Sequence, residues 1–150
     1  MRTLTITINN SVIFNEVSKL ASYIGSKNLD ENKGPIYDSF KPNKSDAPLI
    51  DTYIKEATNK IITACAEYIS NSNDNEITLR IPETFPVALE KETQETANNF
   101  VINYTFASWC SYNAVENGKE YSELSGVALD EFLKRIYTRN KPSIPLTHAT

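Results

Sequence analysis

The chain has 150 residues, of which 40% are hydrophobic and 23% charged, and a net charge of −4 at pH 7. That length is ample for one domain burying roughly 70% of its unfolded surface, and the composition is globular rather than disordered. An acidic balance argues against non-specific nucleic-acid binding, which needs a basic stripe to displace counterions from phosphate.

The first eight residues, Met1-Arg-Thr-Leu-Thr-Ile-Thr-Ile, alternate between polar and apolar side chains from Thr3 to Ile8. Period-two alternation predicts a half-buried strand, and it is not the pattern of a secretory signal peptide. A helix is expected from Ser11 to Ile24, with Ile13, Val17, Leu20 and Ile24 at helical spacing. Ser11 suits the N-cap, and Gly25 suits a left-handed C-terminal cap. Residues 26–47 hold Asn28, Asp30, Gly34-Pro35 and Pro42-Asn43 without periodicity. They read as a packed arm, pinned by Ile36, Tyr37 and Phe40, that in an assembly could reach a neighbour.

Pro48 to Ser70 predicts a second helix, its proline placed in the first turn where no intrahelical N–H partner is lost. Its stripe of Leu49, Tyr53, Ala57, Ile61, Ala64, Cys65 and Tyr68 is widened by Ile50, Ile54, Ile62 and Ile69, so burial against more than one neighbour is expected. The polar run Asn71–Asn75 reads as a turn. Ile77 to Ile81 alternates again and predicts a second strand, able to pair with the first and closed by Pro82. A third helix is expected from Val87 to Glu116, with Asn117-Gly118 as its stop. A fourth follows, firmest after Gly126, through Phe132, Leu133, Ile136 and Tyr137. Pro142 and Pro145 make residues 143–150 an extended tail. The expectation is a single, mainly α domain over residues 1–150: a four-helix bundle-like body with a small two-stranded β element.

Chemistry is scarce. His148 is the one histidine and Cys65 and Cys110 are the two cysteines, too few and too scattered for a zinc site of the usual ligands. Both cysteines lie in helical patterns and read as small buried hydrophobes, with a disulfide between the helices left open. Four dispersed glycines give neither a P-loop nor a dinucleotide fingerprint, and no Gly-x-Ser-x-Gly elbow occurs. The carboxylate pairs Asp30/Glu31, Glu90/Glu92 and Asp130/Glu131 read as solvated faces. No enzyme activity, cofactor or metal is expected. No apolar run approaches the ~20 residues that span a bilayer, so no membrane partner is expected either.

Two features read first as core packing and as a dipole-stabilised helix end, and second as candidate contact surface. Tyr104, Trp109 and Tyr112 fall within three turns of the third helix, with Tyr104 and Trp109 on separate faces, so the group cannot all face one core. Lys134, Arg135, Arg139 and Lys141 gather at the end of the fourth, where the helix dipole favours cations and where an acidic neighbour could dock. Glu83 to Glu95 is the matching acidic stretch, able to meet the basic end of another copy.

The layout from residue 46 to residue 142 resembles a known family. A long helix entered through Asp46-Ala-Pro48-Leu-Ile-Asp51-Thr-Tyr-Ile-Lys-Glu-Ala57 leads to the strand and corner at Glu76 to Phe85. A helix carrying Trp109 follows, and a last helix closes in Leu133-Lys-Arg-Ile-Tyr137-Thr-Arg139-Asn-Lys-Pro142. This is similar to small head–tail connector (adaptor) proteins of tailed phages and prophages, particularly those of gut anaerobes. The N-terminal strand and helix and the 26–47 arm lie outside that family's small helical core. The resemblance implies a structural virion protein without catalytic residues. It implies self-association into a ring, contact with portal and tail-side proteins, and DNA met only non-specifically in a channel. The implied location is the host cytoplasm during assembly, then the virion. The alternative is an intracellular protein-binding or regulatory module without catalytic activity, its aromatic helix serving as partner face.

Overall fold

A computed structural model of the chain describes residues 2–27, 40–73 and 75–140. It is mainly helical, with four long helices and a small antiparallel sheet. In chain order these are β1 (Arg2–Thr7), α1 (Asn10–Lys27), α2 (Ala47–Ala64), β2 (Ile69–Ser72), β3 (Glu76–Ile81), α3 (Ala88–Tyr112) and α4 (Gly118–Asn140). Short 3₁₀ turns precede α2 at Lys44–Asp46 and follow it at Ala66–Tyr68.

β1 and β3 pair antiparallel, from Arg2 opposite Ile81 to Thr7 opposite Glu76. This register sets Leu4 across from Leu79 and Ile6 across from Ile77, all buried, while Thr5 and Thr78 face outward together. The sheet has a third strand where a helix end and a turn were expected. The apolar stripe of α2 continues to Ile69, but the helix stops at Cys65, whose φ of −118° leaves the helical region. Ile69 then pairs with Leu79, and β2 runs on with a bulge between Ile69 and Asn71. A tertiary ladder overrides local helical spacing here.

β3 is central, so β1 and β2 are edges. The β1 edge is covered by α3. The Gln94 amide both accepts from the Thr7 N–H (2.8 Å) and donates to the Thr7 carbonyl (2.9 Å), satisfying the backbone as a further strand would. At the other end of β1, the Arg2 guanidinium bonds to Glu90 and to the Phe85 carbonyl.

α1 starts one residue earlier than expected and runs three residues longer. Asn9, not Ser11, caps it, its side chain accepting from the Val12 N–H at 3.2 Å. Gly25 is buried within the helix and has no positive φ, so it is not the cap. α3 is the central element and touches α1, α2, α4 and β1. That surrounding explains why Ala97, Phe100, Val101, Phe106, Trp109 and Cys110 are buried on several of its faces.

α3 ends sooner than Asn117-Gly118, in a Schellman turn. The Val115 N–H reaches back to the Cys110 carbonyl (2.8 Å) and the Ala114 N–H to the Ser111 carbonyl (3.2 Å). Ala114 takes the left-handed position that glycine usually holds, with φ 56°. Gly118 is instead the first residue of α4, and that helix passes unbroken through Gly126. α3 and α4 form an antiparallel hairpin, and the core cluster joins side chains from Leu4 to Ile136. Residues 28–39 of the expected arm and the tail from residue 141 onward, with His148, lie outside the described residues.

Candidate protein-contact site

The turn end of the α3–α4 hairpin meets the first half of α2, and an open groove of about 730 Å³ lies between the three helices. Tyr53 of α2, Tyr104, Ser108 and Tyr112 of α3, and Lys119 and Glu123 of α4 line it. Helical spacing builds this lining. Tyr104, Ser108 and Tyr112 recur at four-residue intervals and stack along one face of α3. Gly118 lets the helices approach closely beside them: a Cβ there would stand 3.0 Å from the Cβ of Cys110 and 3.2 Å from the Ala107 carbonyl.

Hydroxyl groups and charges decorate the groove. The Tyr104 hydroxyl donates to Glu56 at 3.2 Å, and the Lys60 ammonium sits 5.6 Å from the centre of the Tyr104 ring. Partial burial, and then the Glu56 carboxylate, push the Tyr104 phenol above its ordinary pKa. Tyr53 is raised in the same way, by burial first and then by Glu56 and Tyr112. Tyr53 and Tyr104 therefore present neutral hydroxyls near pH 7.

The residues singled out from sequence separate into different roles. Tyr104 and Tyr112 do share the groove, and Tyr112 is 65% exposed. Trp109 turns the other way and is 3% exposed, because its indole packs on Phe40. It contributes core rather than contact area, with only its stack against Tyr112 (centroids 5.8 Å) supporting the groove. Lys134 is exposed, while Arg135 pairs with Glu92 within the chain at 2.9 Å. The antiparallel hairpin thus brings the basic end of α4 to the acidic start of α3 in one molecule. Glu90 is likewise taken by Arg2. The Arg139 side chain and Lys141 fall outside what the structure describes.

Tyr53 was read as core stripe; its four-residue offset from Ala57 and Ile61 was the signal, but nothing local distinguishes a groove wall from a core. Lys119 and Glu123 carried no signal at all.

Cys65 and Cys110 are both free and buried. Burial raises the Cys65 thiol to about 11 and the Cys110 thiol to about 12, so neither is a thiolate near neutrality. Among the described residues no cluster of His, Cys, Asp and Glu has the grouping to hold a metal ion. No helix among them is long and apolar enough to cross a membrane.

No known family model, curated protein or solved structure matches this chain.

Proposed function

We propose that the chain is a structural subunit of a phage-derived virion, assembling into the head–tail connector ring that docks on the portal and lines the DNA channel. The observation that carries this reading is the open, tyrosine-lined groove at the turn end of the α3–α4 hairpin. Tyrosine gives large contact area with few rotatable bonds, which suits a protein partner. The hairpin behind it is tied at both ends, by the Schellman turn and by Arg135–Glu92, and supplies the rigid body such a ring needs. The acidic net charge supports the channel role, because DNA must slide past without being held.

Mass measurement tests this. The purified chain, mixed with the portal protein of the same genome, is expected to give one closed ring per portal. A one-to-one complex with a cellular partner, and no binding to portal, would favour the protein-binding or regulatory module, which the same groove also serves.

A further inference from the structure

We propose that the groove lined by Tyr53, Tyr104 and Tyr112 receives the Pro142-x-x-Pro145 segment of a second copy of this chain. The proposal rests on the assembly reading in one respect, that copies of the chain are neighbours.

The chemistry of the two parts matches. Prolines three residues apart share one face of a polyproline II helix, which repeats every three residues. Such segments dock on aromatic-lined grooves whose hydroxyls bond the exposed peptide carbonyls. This groove offers tyrosine faces and the Ser108 and tyrosine hydroxyls. Charge is balanced and does not decide the match: Arg139 and Lys141 precede the prolines, and the groove is lined by both Glu123 and Lys119 and bordered at Tyr104 by both Glu56 and Lys60. Proline has little backbone freedom to lose on docking, which lowers the entropic cost.

Reach decides whose groove is used. α4 runs from the groove at Glu123 to its end at Asn140, about 26 Å at 1.5 Å per residue. Pro145 lies five residues beyond Asn140 and extends at most about 18 Å from it. A chain's own prolines cannot arrive at its own groove, so the docked segment comes from another copy. Tail into groove is a head-to-tail contact between unlike surfaces, the type that generates rings when its rotation closes.

The test uses the full-length chain carrying Pro142→Ala and Pro145→Ala, whose groove is left free, and a fluorescein-labelled peptide of residues 139–150. Anisotropy is expected to show saturable binding, at least tenfold weaker when Tyr112→Ala or Glu123→Lys is added. Tyr112 and Glu123 are both exposed, so either variant is expected to fold. Mixing the proline variant with a Tyr112→Ala chain that keeps its prolines is expected to give a heterodimer and nothing larger. Absence of saturable binding, or an affinity unchanged by both groove variants, overturns the proposal and leaves the groove to residues 28–39 or to an unrelated protein. Portal-bound rings that form without peptide binding would sink this contact alone. Peptide binding with only open filaments would sink the connector reading and keep the contact.

Discussion

The indole N–H of Trp109 donates to the carbonyl oxygen of Phe40 at 2.7 Å, and the two rings stack with centroids 6.5 Å apart. This pair fastens the segment that enters α2 onto the central helix, with Phe106 closing the cluster edge-on to Phe40 at 5.9 Å. Trp109→Phe keeps an aromatic ring but leaves the buried Phe40 carbonyl without its donor. We expect a loss of about 1–3 kcal/mol, read as a lower urea midpoint at unchanged slope by circular dichroism. An unchanged midpoint would show that the hydrogen bond contributes nothing net.

Three positions around the hairpin test the backbone account. Ala114→Gly removes a left-handed alanine and should stabilise by about 1 kcal/mol. Gly126→Ala should stabilise by up to about 1 kcal/mol, since a Cβ there meets nothing within 4 Å. Gly118→Ala should destabilise by about 1–3 kcal/mol, because its Cβ would press on Cys110 and Ala107. Thermal melts check the signs, at about 2–4 °C per kcal/mol for a chain of this size.

Thr105 is fully buried on α3, and its hydroxyl finds no partner among the described residues. By contrast, the buried hydroxyls of Thr58, Thr93 and Thr96 each donate to a backbone carbonyl of the preceding turn. Thr105→Val exchanges the unpaired oxygen for a methyl group of similar size and should raise stability by about 1 kcal/mol. Thr93→Val is the control, and it should bring no such gain. Equal effects at the two sites would contradict the assignment.

The thiols set a pH dependence. An exposed thiol in the unfolded chain ionises near 9, whereas the folded chain holds Cys65 to about 11 and Cys110 to about 12. The thiol contribution to stability is therefore complete below pH 9 and is lost as pH rises from there through about 12. Denaturant midpoints above pH 9 should fall less in a Cys65→Ala, Cys110→Ala chain than in the wild type. In the native protein a thiol reagent at pH 8 should label neither cysteine, and both should react on unfolding.

The long helices and the β1–β3 pair were legible because each rests on a sustained period: Thr3 to Ile8 alternates, and Ile13, Val17, Leu20 and Ile24 recur at helical spacing. What stayed hidden depends on partners far along the chain. Ile69 looks helical by spacing and becomes a strand only because Leu79 stands ready to pair. Gly118 looks like a stop and is a contact point, while Ala114, an unlikely left-handed residue by type, ends the helix. Among the site residues, Tyr104 and Tyr112 could be found from aromatic density. The inward turn of Trp109 and the internal pairing of Arg135 required the hairpin's register, which no single segment encodes.

The central claim is that these side chains hold helices together and present contact surface for assembly. Negative-stain imaging of portal particles, with and without the purified chain, tests it most directly. The account predicts an added ring of density beneath each portal, absent when Tyr112→Ala and Glu123→Lys are combined. Bare portals at saturating protein, with the chain folded and monomeric in the same sample, would contradict it.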